Sequence, residues 1–272
     1  MGDGMIPNIL SIAGSDPSGG AGIQADIKTI SANGGYAMAV ITALTAQNTQ
    51  GVTGVQMVAP DFVTAQIAAI RADIRVDAVK IGMLGDAGII GAVVAGLSGH
   101  DTPIVLDPVM VTKSGDRLLQ TAAVAALRAA LPMATVVTPN LPEAADLLGL
   151  PEAMTRTDME DQARALLALG PPAVLLKGGH LGGDDCPDLL ASAEGLVWLP
   201  GVRVATRKTH GTGCTLSSAL ATHLGLGLTL PEAAAHAKAY VARAIATADA
   251  LTVGTGHGPT HHFHAIFKGN TP

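Results

Sequence analysis

The stretch Asn8–Asn33, NILSIAGSDPSGGAGIQADIKTISAN, decides the reading of the whole chain. Its opening, Asn8–Ala13, is an apolar run too short for a helix and reads as a buried strand. A Gly-rich turn, Gly14–Gly22 (GSDPSGGAG), follows. Ala21–Asn33 then reads as a helix. Ile23, Ile27 and Ile30 recur at i, i+4 and i+7, and Gly34-Gly35 ends the pattern.

The rest of the sequence repeats this plan. Short apolar runs at 37–44, 78–81, 104–106, 135–137 and 173–176 predict strands. Helices are predicted at 88–97, 121–131, 142–148, 159–169, 213–224 and 231–250, with another opened by Pro60-Asp61 and carrying Val63, Ile67 and Ile70 on one face. Residues 52–58 predict a strand outside the main sheet, and 188–191 and 196–199 two short strands. Strands alternating with helices imply an α/β fold, a three-layer arrangement with a mostly parallel central sheet and helices on both faces. No long Pro/Gly/Ser linker divides the chain, so residues 1–272 are expected to form a single domain.

Composition agrees. The chain has 272 residues, 48% hydrophobic and 14% charged, which is ample for a core and rules out disorder as a whole-chain reading. The formal charge of −6 comes without a basic stripe, which argues against nucleic-acid binding through phosphate neutralisation. Two cysteines, Cys186 and Cys214, support no disulfide framework and point to a reducing, cytoplasmic compartment. The start MGDGMIPNIL lacks the pattern of a signal peptide, and no apolar run reaches membrane-spanning length.

Chemistry concentrates where the strands end. NILSIA runs into Gly14-Ser15-Asp16, IVL into Asp107-Pro108, TVV into Thr138-Pro139-Asn140, and AVLL into Lys177-Gly178-Gly179-His180. In an open parallel sheet these carboxyl ends share one edge, where ligands bind. Asp16, Asp107, Asn140 and Lys177 are therefore expected in one crevice. Asp26 has two readings: a residue on a solvated helix face, or a carboxylate near bound substrate. Lys238 reads as a solvated lysine or as one that reaches a nucleotide.

The segment Thr209–Thr215 (THGTGCT) opens a predicted helix. Unpaired N–H groups and the positive end of the helix dipole should converge at Gly211, Thr212, Gly213 and Cys214. Such a cradle suits a phosphoryl group whose charge grows during transfer. Cys214 would sit where thiol pKa values fall, and a thiolate there could take a proton from a hydroxyl nucleophile. The other reading is a small buried cysteine at a Gly-rich helix entry. The histidines of GHGPTHHFHA (257, 261, 262 and 264) lack metal-ligand spacing.

These segments together resemble the bacterial hydroxymethylpyrimidine/phosphomethylpyrimidine kinases of thiamine biosynthesis, in the ribokinase-like superfamily. The resemblance runs from about Ile9 to Phe267. It is carried by IAGSDPSGGAGIQADIKT (12–29), ITALTAQNTQGV (41–52), KIGMLGD (80–86), VLDPVMVTKSGDRLL (105–119), TPNLPEAADLLG (138–149), LLKGGH (175–180), THGTGCTLSSALA (209–221) and GPTHHFHA (258–265). It implies a ribokinase-like fold and transfer of the γ-phosphoryl of ATP to 4-amino-5-hydroxymethyl-2-methylpyrimidine, then to the monophosphate formed. It implies that Gln47 binds the pyrimidine, with Gly14, Asp26 and Met83 around the same pocket. By the same resemblance Gly211, Thr212 and Gly213 form the anion hole and Cys214 is the base. Asn140 and Glu143 match an N-x-x-E element that organises Mg²⁺, through water, and phosphates; Asp107, Lys177 and Lys238 stand near the nucleotide. A homodimer is implied too. Thr45 departs from a usually apolar position, and the Gly182–Pro187 loop, an expected flap, departs in composition. Two competitors share the fold: a pyridoxal (vitamin B6) kinase, and a non-catalytic ligand sensor, which should have lost the anion hole, Lys177 or the Asn140/Glu143 pair.

Overall fold

A computed structural model describes residues 5–110 and 123–267. The chain opens with β1 (Asn8–Ser15), α1 (Gly22–Ala32), β2 (Tyr36–Asn48) and β3 (Gly51–Met57). It continues through α2 (Pro60–Asp73), β4 (Ala78–Ile81), α3 (Ala87–Leu97) and β5 (Ile104–Leu106). Then come α4 (Ala123–Ala130), β6 (Val136–Val137), α5 (Leu141–Leu148), α6 (Arg156–Leu167) and β7 (Ala173–Lys177). The last elements are β8 (Asp188–Ser192), β9 (Gly195–Leu199), α7 (Thr212–Gly225) and α8 (Leu230–Ala246). The first two residues of the helix predicted at 121–131, and 111–119 of the segment 105–119, lie outside the described residues.

The strands form one nine-stranded sheet in the order β3-β2-β1-β4-β5-β6-β7-β8-β9. Its centre, β2 to β7, is parallel, and β3 at one edge and β8-β9 at the other are antiparallel. Because the chain moves from β1 outward to β2 and returns on the other side as β4, a topological switch point opens between β1 and β4. Separate apolar cores fill the two faces of the sheet. Ile67, Ile89, Leu127, Leu147 and Leu166 pack on one from α2 to α6. Ile30, Leu216, Leu220, Ala237 and Val241 pack on the other from α1, α7 and α8. The result is the expected three-layer sandwich.

The structure corrects four details. Residues 51–57 are not outside the sheet; they pair antiparallel with β2 and extend it. Strand β2 does not stop at Leu44 but runs on to Asn48, which puts Gln47 in a projecting hairpin. The last long helix ends at Ala246, with a 3-10 turn at 248–250 after it. In α1 it is Asp26, fully buried, that faces the core, while Ile27 is 38% exposed. At 100° per residue Asp26 falls between Ile30 and Thr29, in the middle of the buried face, and Ile27 falls beyond Ile23 at its margin.

Candidate active site

The carboxyl ends of β1, β4, β5, β6 and β7 and the start of α7 surround one cavity. It is lined by residues that include Gly14, Asp16, Gln47, Lys80, Met83, Asp107, Asn140, Glu143, Lys177, His210 and Gly211–Cys214. The four strand-end residues Asp16, Asp107, Asn140 and Lys177 thus share one crevice. Helix α7 lies across β1, β4 and β5, which aims its amino terminus at the switch point. Gly211 caps it in the left-handed region, φ 77°, and a Cβ there would run into the Gly20 carbonyl.

Along one side of the cavity, Lys177 Nζ donates to Asp107 Oδ1 at 2.8 Å and stands 3.7 Å from Glu143 Oε2. Asp107 also accepts from Thr138 Oγ1 at 3.2 Å and from Ser217 Oγ at 3.4 Å. A Cβ on Gly213 would stand 3.3 Å from both Asp107 Oδ2 and Lys177 Nζ, so the helix start and this ion pair border the same space. Burial alone would push the Lys177 ammonium down, but the Asp107 and Glu143 carboxylates hold it well above the ordinary lysine range. Burial raises the Glu143 carboxyl to about 7, helped by Asp107 and opposed by Lys177. Asn140 and Glu143 form a reciprocal capping box at the start of α5: Asn140 Oδ1 accepts from the Glu143 N–H, and Glu143 Oε2 from the Asn140 N–H, both at 2.8 Å. The N-x-x-E spacing therefore serves a helix start as well as the cavity wall.

Cys214 departs from the expectation of a lowered thiol. Burial raises it to about 11, and the Lys80 ammonium and a hydrogen bond from the Gly22 N–H only partly offset that. The helix start is desolvated, so at neutral pH the group is a thiol. Asp26 does not line the cavity. Its Oδ1 and Oδ2 take Lys80 Nζ at 2.9 and 2.8 Å, Ser218 Oγ donates to Oδ1 at 2.8 Å, and Ser11 Oγ to Oδ2 at 2.6 Å. Its oxygens are spent behind the wall, and Lys80 is the member of that cluster that reaches the cavity. Lys238 is likewise outside the lining: its Nζ donates to Asp188 Oδ2 and to the Cys186 carbonyl, each at 2.7 Å.

On the other side, Gln47 projects from the β2-β3 hairpin. Thr45 Oγ1 lies 3.1 Å from the Gln47 amide and donates to the Ser15 carbonyl at 2.9 Å. A Cβ on Gly14 would displace the flexible end of the Met83 side chain, which closes that corner. His210 and Lys80 were not anticipated. A lysine inside the apolar strand AVKI was a visible signal for the second, and a histidine within THGTGC for the first. Among the described residues no group of three His, Cys, Asp or Glu is placed to hold a metal ion, the GPTHHFHA histidines included. Instead that segment braces α7, with His262 Nε2 3.2 Å from Thr215 Oγ1.

Sequence and structure comparisons agree with this geometry. A family model described as phosphomethylpyrimidine kinase matches residues 16–261. The hydroxymethylpyrimidine/phosphomethylpyrimidine kinase of Escherichia coli K12 is 52% identical over 260 residues, covering 95% of this chain and 98% of that one. A thiamine biosynthesis bifunctional protein of Geobacter sulfurreducens is 47% identical over 260 residues, covering 95% of this chain and 52% of that one. Among solved structures, an ADP complex of Bacillus subtilis pyridoxal kinase superposes with a TM-score of 0.89 at 36% identity, covering 97% of this chain and 100% of that chain. With that match the sandwich is a ribokinase-like fold, and the chain belongs to the phosphomethylpyrimidine kinase family.

Proposed function

We propose that the chain transfers the γ-phosphoryl of ATP to the hydroxymethyl oxygen of 4-amino-5-hydroxymethyl-2-methylpyrimidine, and then to the monophosphate so formed, in thiamine biosynthesis. One observation carries the reading: Gln47 and the Gly211–Cys214 helix start open into the same cavity, with Lys177 between the helix start and the acidic pair. A small alcohol held at Gln47 then shares a cavity with a helix start and an ammonium suited to a migrating phosphoryl group. Phosphoryl transfer asks mainly for positioning and charge stabilisation, and this site is built of those.

The roles follow from the surroundings. Gly211, Thr212, Gly213 and Cys214 supply the N–H cradle, and Lys177, kept charged by Asp107 and Glu143, supplies a point charge for phosphate oxygens. Gln47 offers a donor and an acceptor to an aminopyrimidine edge. Cys214 rests as a thiol, so a base role requires it to lose its proton, aided by Lys80 and Gly22. In a loose transition state the hydroxyl keeps its proton until late, which lowers the demand on any base.

The donor set fits Mg²⁺. Glu143 is a hard-oxygen carboxyl that burial makes reluctant to ionise and that a nearby cation would relieve, and Asn140 adds an amide oxygen beside it. Glu143 and Asn140 would hold the ion through water, and its chemistry there would be to neutralise phosphate charge. We also read the whole length as one kinase domain, working in the cytoplasm as a homodimer. No helix among the described residues is long and apolar enough to cross a membrane.

Vitamin B6 phosphorylation is a second reading, favoured by the superposition on Bacillus subtilis pyridoxal kinase. A coupled assay for ADP release with hydroxymethylpyrimidine, its monophosphate and pyridoxal separates the two. Turnover of both pyrimidines is expected, and no turnover of either rejects the first reading.

A further inference from the structure

His210 joins the two halves of the cavity, and its protons can be counted. Its Nε2 lies 2.8 Å from Asp16 Oδ2 and 3.4 Å from the Gln47 side-chain amide. Asp16 also accepts the Ser18 N–H on Oδ1 and the Ala21 N–H on Oδ2. Burial would raise its carboxyl, but the hydrogen bonds from His210 and Ser18 hold it below the ordinary range. Asp16 is therefore an anion and can only accept. So His210 Nε2 carries a hydrogen, whether the ring is neutral or charged.

The opposite end is settled in the same way. Thr45 has one hydroxyl hydrogen, and the Ser15 carbonyl, 2.9 Å away, can only accept it. With that hydrogen on Ser15, the shorter of its two contacts, the Thr45 oxygen can accept from the Gln47 amide at 3.1 Å. The single His210 Nε2 hydrogen goes chiefly to Asp16 at 2.8 Å; at 3.4 Å it can be shared with an oxygen of Gln47, whereas a protonated Nε2 has no lone pair to accept an amide N–H, so Oε1 belongs towards His210 and Nε2 towards Thr45. This is the half-turned form of the placed rotamer, in which Nε2 faces His210 and Oε1 faces Thr45. The opposite orientation sets two donors against each other at His210, and at Thr45 it leaves one hydroxyl hydrogen to serve both the Ser15 carbonyl and Gln47 Oε1.

Once Thr45 and His210 take the outer hydrogen and the outer lone pair, the amide keeps one edge where an N–H and an oxygen lone pair lie side by side. That edge complements a ring nitrogen beside an exocyclic amine. A pyridine without such an amine can use one of the two bonds at most. We propose that His210, through Asp16, is a positioning residue that locks Gln47 in the register selecting an amino group next to a ring nitrogen. The inference rests on the pyrimidine reading of Gln47 given above and names what enforces it.

Turnover of hydroxymethylpyrimidine by the unmodified enzyme tests that underlying reading alone, and its absence removes the reading rather than the register. The variants test the register. His210→Leu should raise KM for hydroxymethylpyrimidine by about tenfold, since the half-buried amide loses the group that orients it, while kcat falls by less than about threefold. The inhibition constant of pyridoxal as a competing acceptor and the KM for ATP should stay within about twofold, because neither uses both valences. His210→Gln, whose amide nitrogen can replace Nε2, should recover most of the loss. His210→Leu added to Gln47→Ala should cost nothing further, as for residues acting through one contact. If His210→Leu does not fold, Asp16→Asn, which can turn a donor towards the ring, should give the same selective rise. Equal loss for both acceptors, an unchanged pyrimidine KM, or no recovery by His210→Gln in a protein of unchanged melting temperature would overturn the assignment.

Discussion

Lys80 is the residue whose removal has the most calculable consequence. It is fully buried on β4, and its Nζ is bound to both oxygens of Asp26, which is fully buried on α1. Ser11 of β1 and Ser218 of α7 complete the shell. The cluster thus ties two neighbouring strands to two helices directly behind the Gly211–Cys214 cradle. Lys80→Met keeps the volume and removes the charge, leaving a buried carboxylate with two serine hydroxyls. Breaking a buried ion pair from one side costs about 3–5 kcal/mol, because the remaining charge cannot return to water. For a domain of this size that is a fall in melting temperature of roughly 10 °C.

The double variant Lys80→Met/Asp26→Asn is the sharper part. Removing both charges relieves the stranded carboxylate, and the Asn amide can still meet Ser11 and Ser218. Most of the lost stability should return, so the double should be more stable than Lys80→Met alone. Urea unfolding of wild type, the two single variants and the double gives the coupling directly. A second readout is Cys214, since losing the Lys80 ammonium removes a cation that holds its thiol down, and the thiol should move higher still. The reasoning fails if Lys80→Met behaves like a solvated surface substitution, within about 0.5 kcal/mol of wild type. It fails equally if the double variant loses the sum of the two singles.

Cys214→Ala should lower kcat by about 10²-fold while leaving the KM for ATP within a few-fold, and an unchanged kcat would remove any proton-transfer role. In a Cys186→Ser background, iodoacetamide should label Cys214 at a rate that keeps climbing up to about pH 11, where its thiol titrates; a plateau near neutrality would show a resting thiolate. Glu143 gives a pH signature of defined sign. Its folded pKa of about 7 exceeds the ordinary 4.5, so the folded form binds the proton more tightly, and its contribution falls as pH rises from about 4.5 to 7. Glu143→Gln can keep the helix cap and should flatten that slope in urea unfolding at pH 5, 6 and 7.5, whereas an unaltered slope would assign the pH dependence elsewhere.

Much of the fold was legible because strand and helix signals are local. Alternating apolar runs and amphipathic stretches imply a parallel sheet, and polar residues at the strand ends imply a crevice at one edge; Asp16, Asp107, Asn140 and Lys177 meet there as that logic requires. Gly211, Thr212, Gly213 and Cys214 open α7 as their spacing and the following helix pattern suggest. What depended on packing was not legible. Whether Asp26 or Ile27 of α1 faces inward turns on where β1, β4 and α7 place Ser11, Lys80 and Ser218. The antiparallel joining of β3, and with it the height of Gln47 above the sheet, depends on pairing between strands.

The same division separates charge from its behaviour. The sequence by itself determined which groups could carry or accept a proton: a thiol at a helix start, a lysine after an apolar strand, an acid at N3 of α5. Only the tertiary structure decided how they behave. Desolvation and the fields of Lys80, Asp26 and Asp107 arrive from segments distant along the chain, and burial outweighs the helix end in raising Cys214. The hydrogen-bond polarity from Asp16 through His210 and Gln47 to Ser15 likewise exists only once residues 15, 16, 45, 47 and 210 stand side by side. Solvent exclusion and proton direction are properties of the assembled cavity, and no stretch of sequence contains them alone.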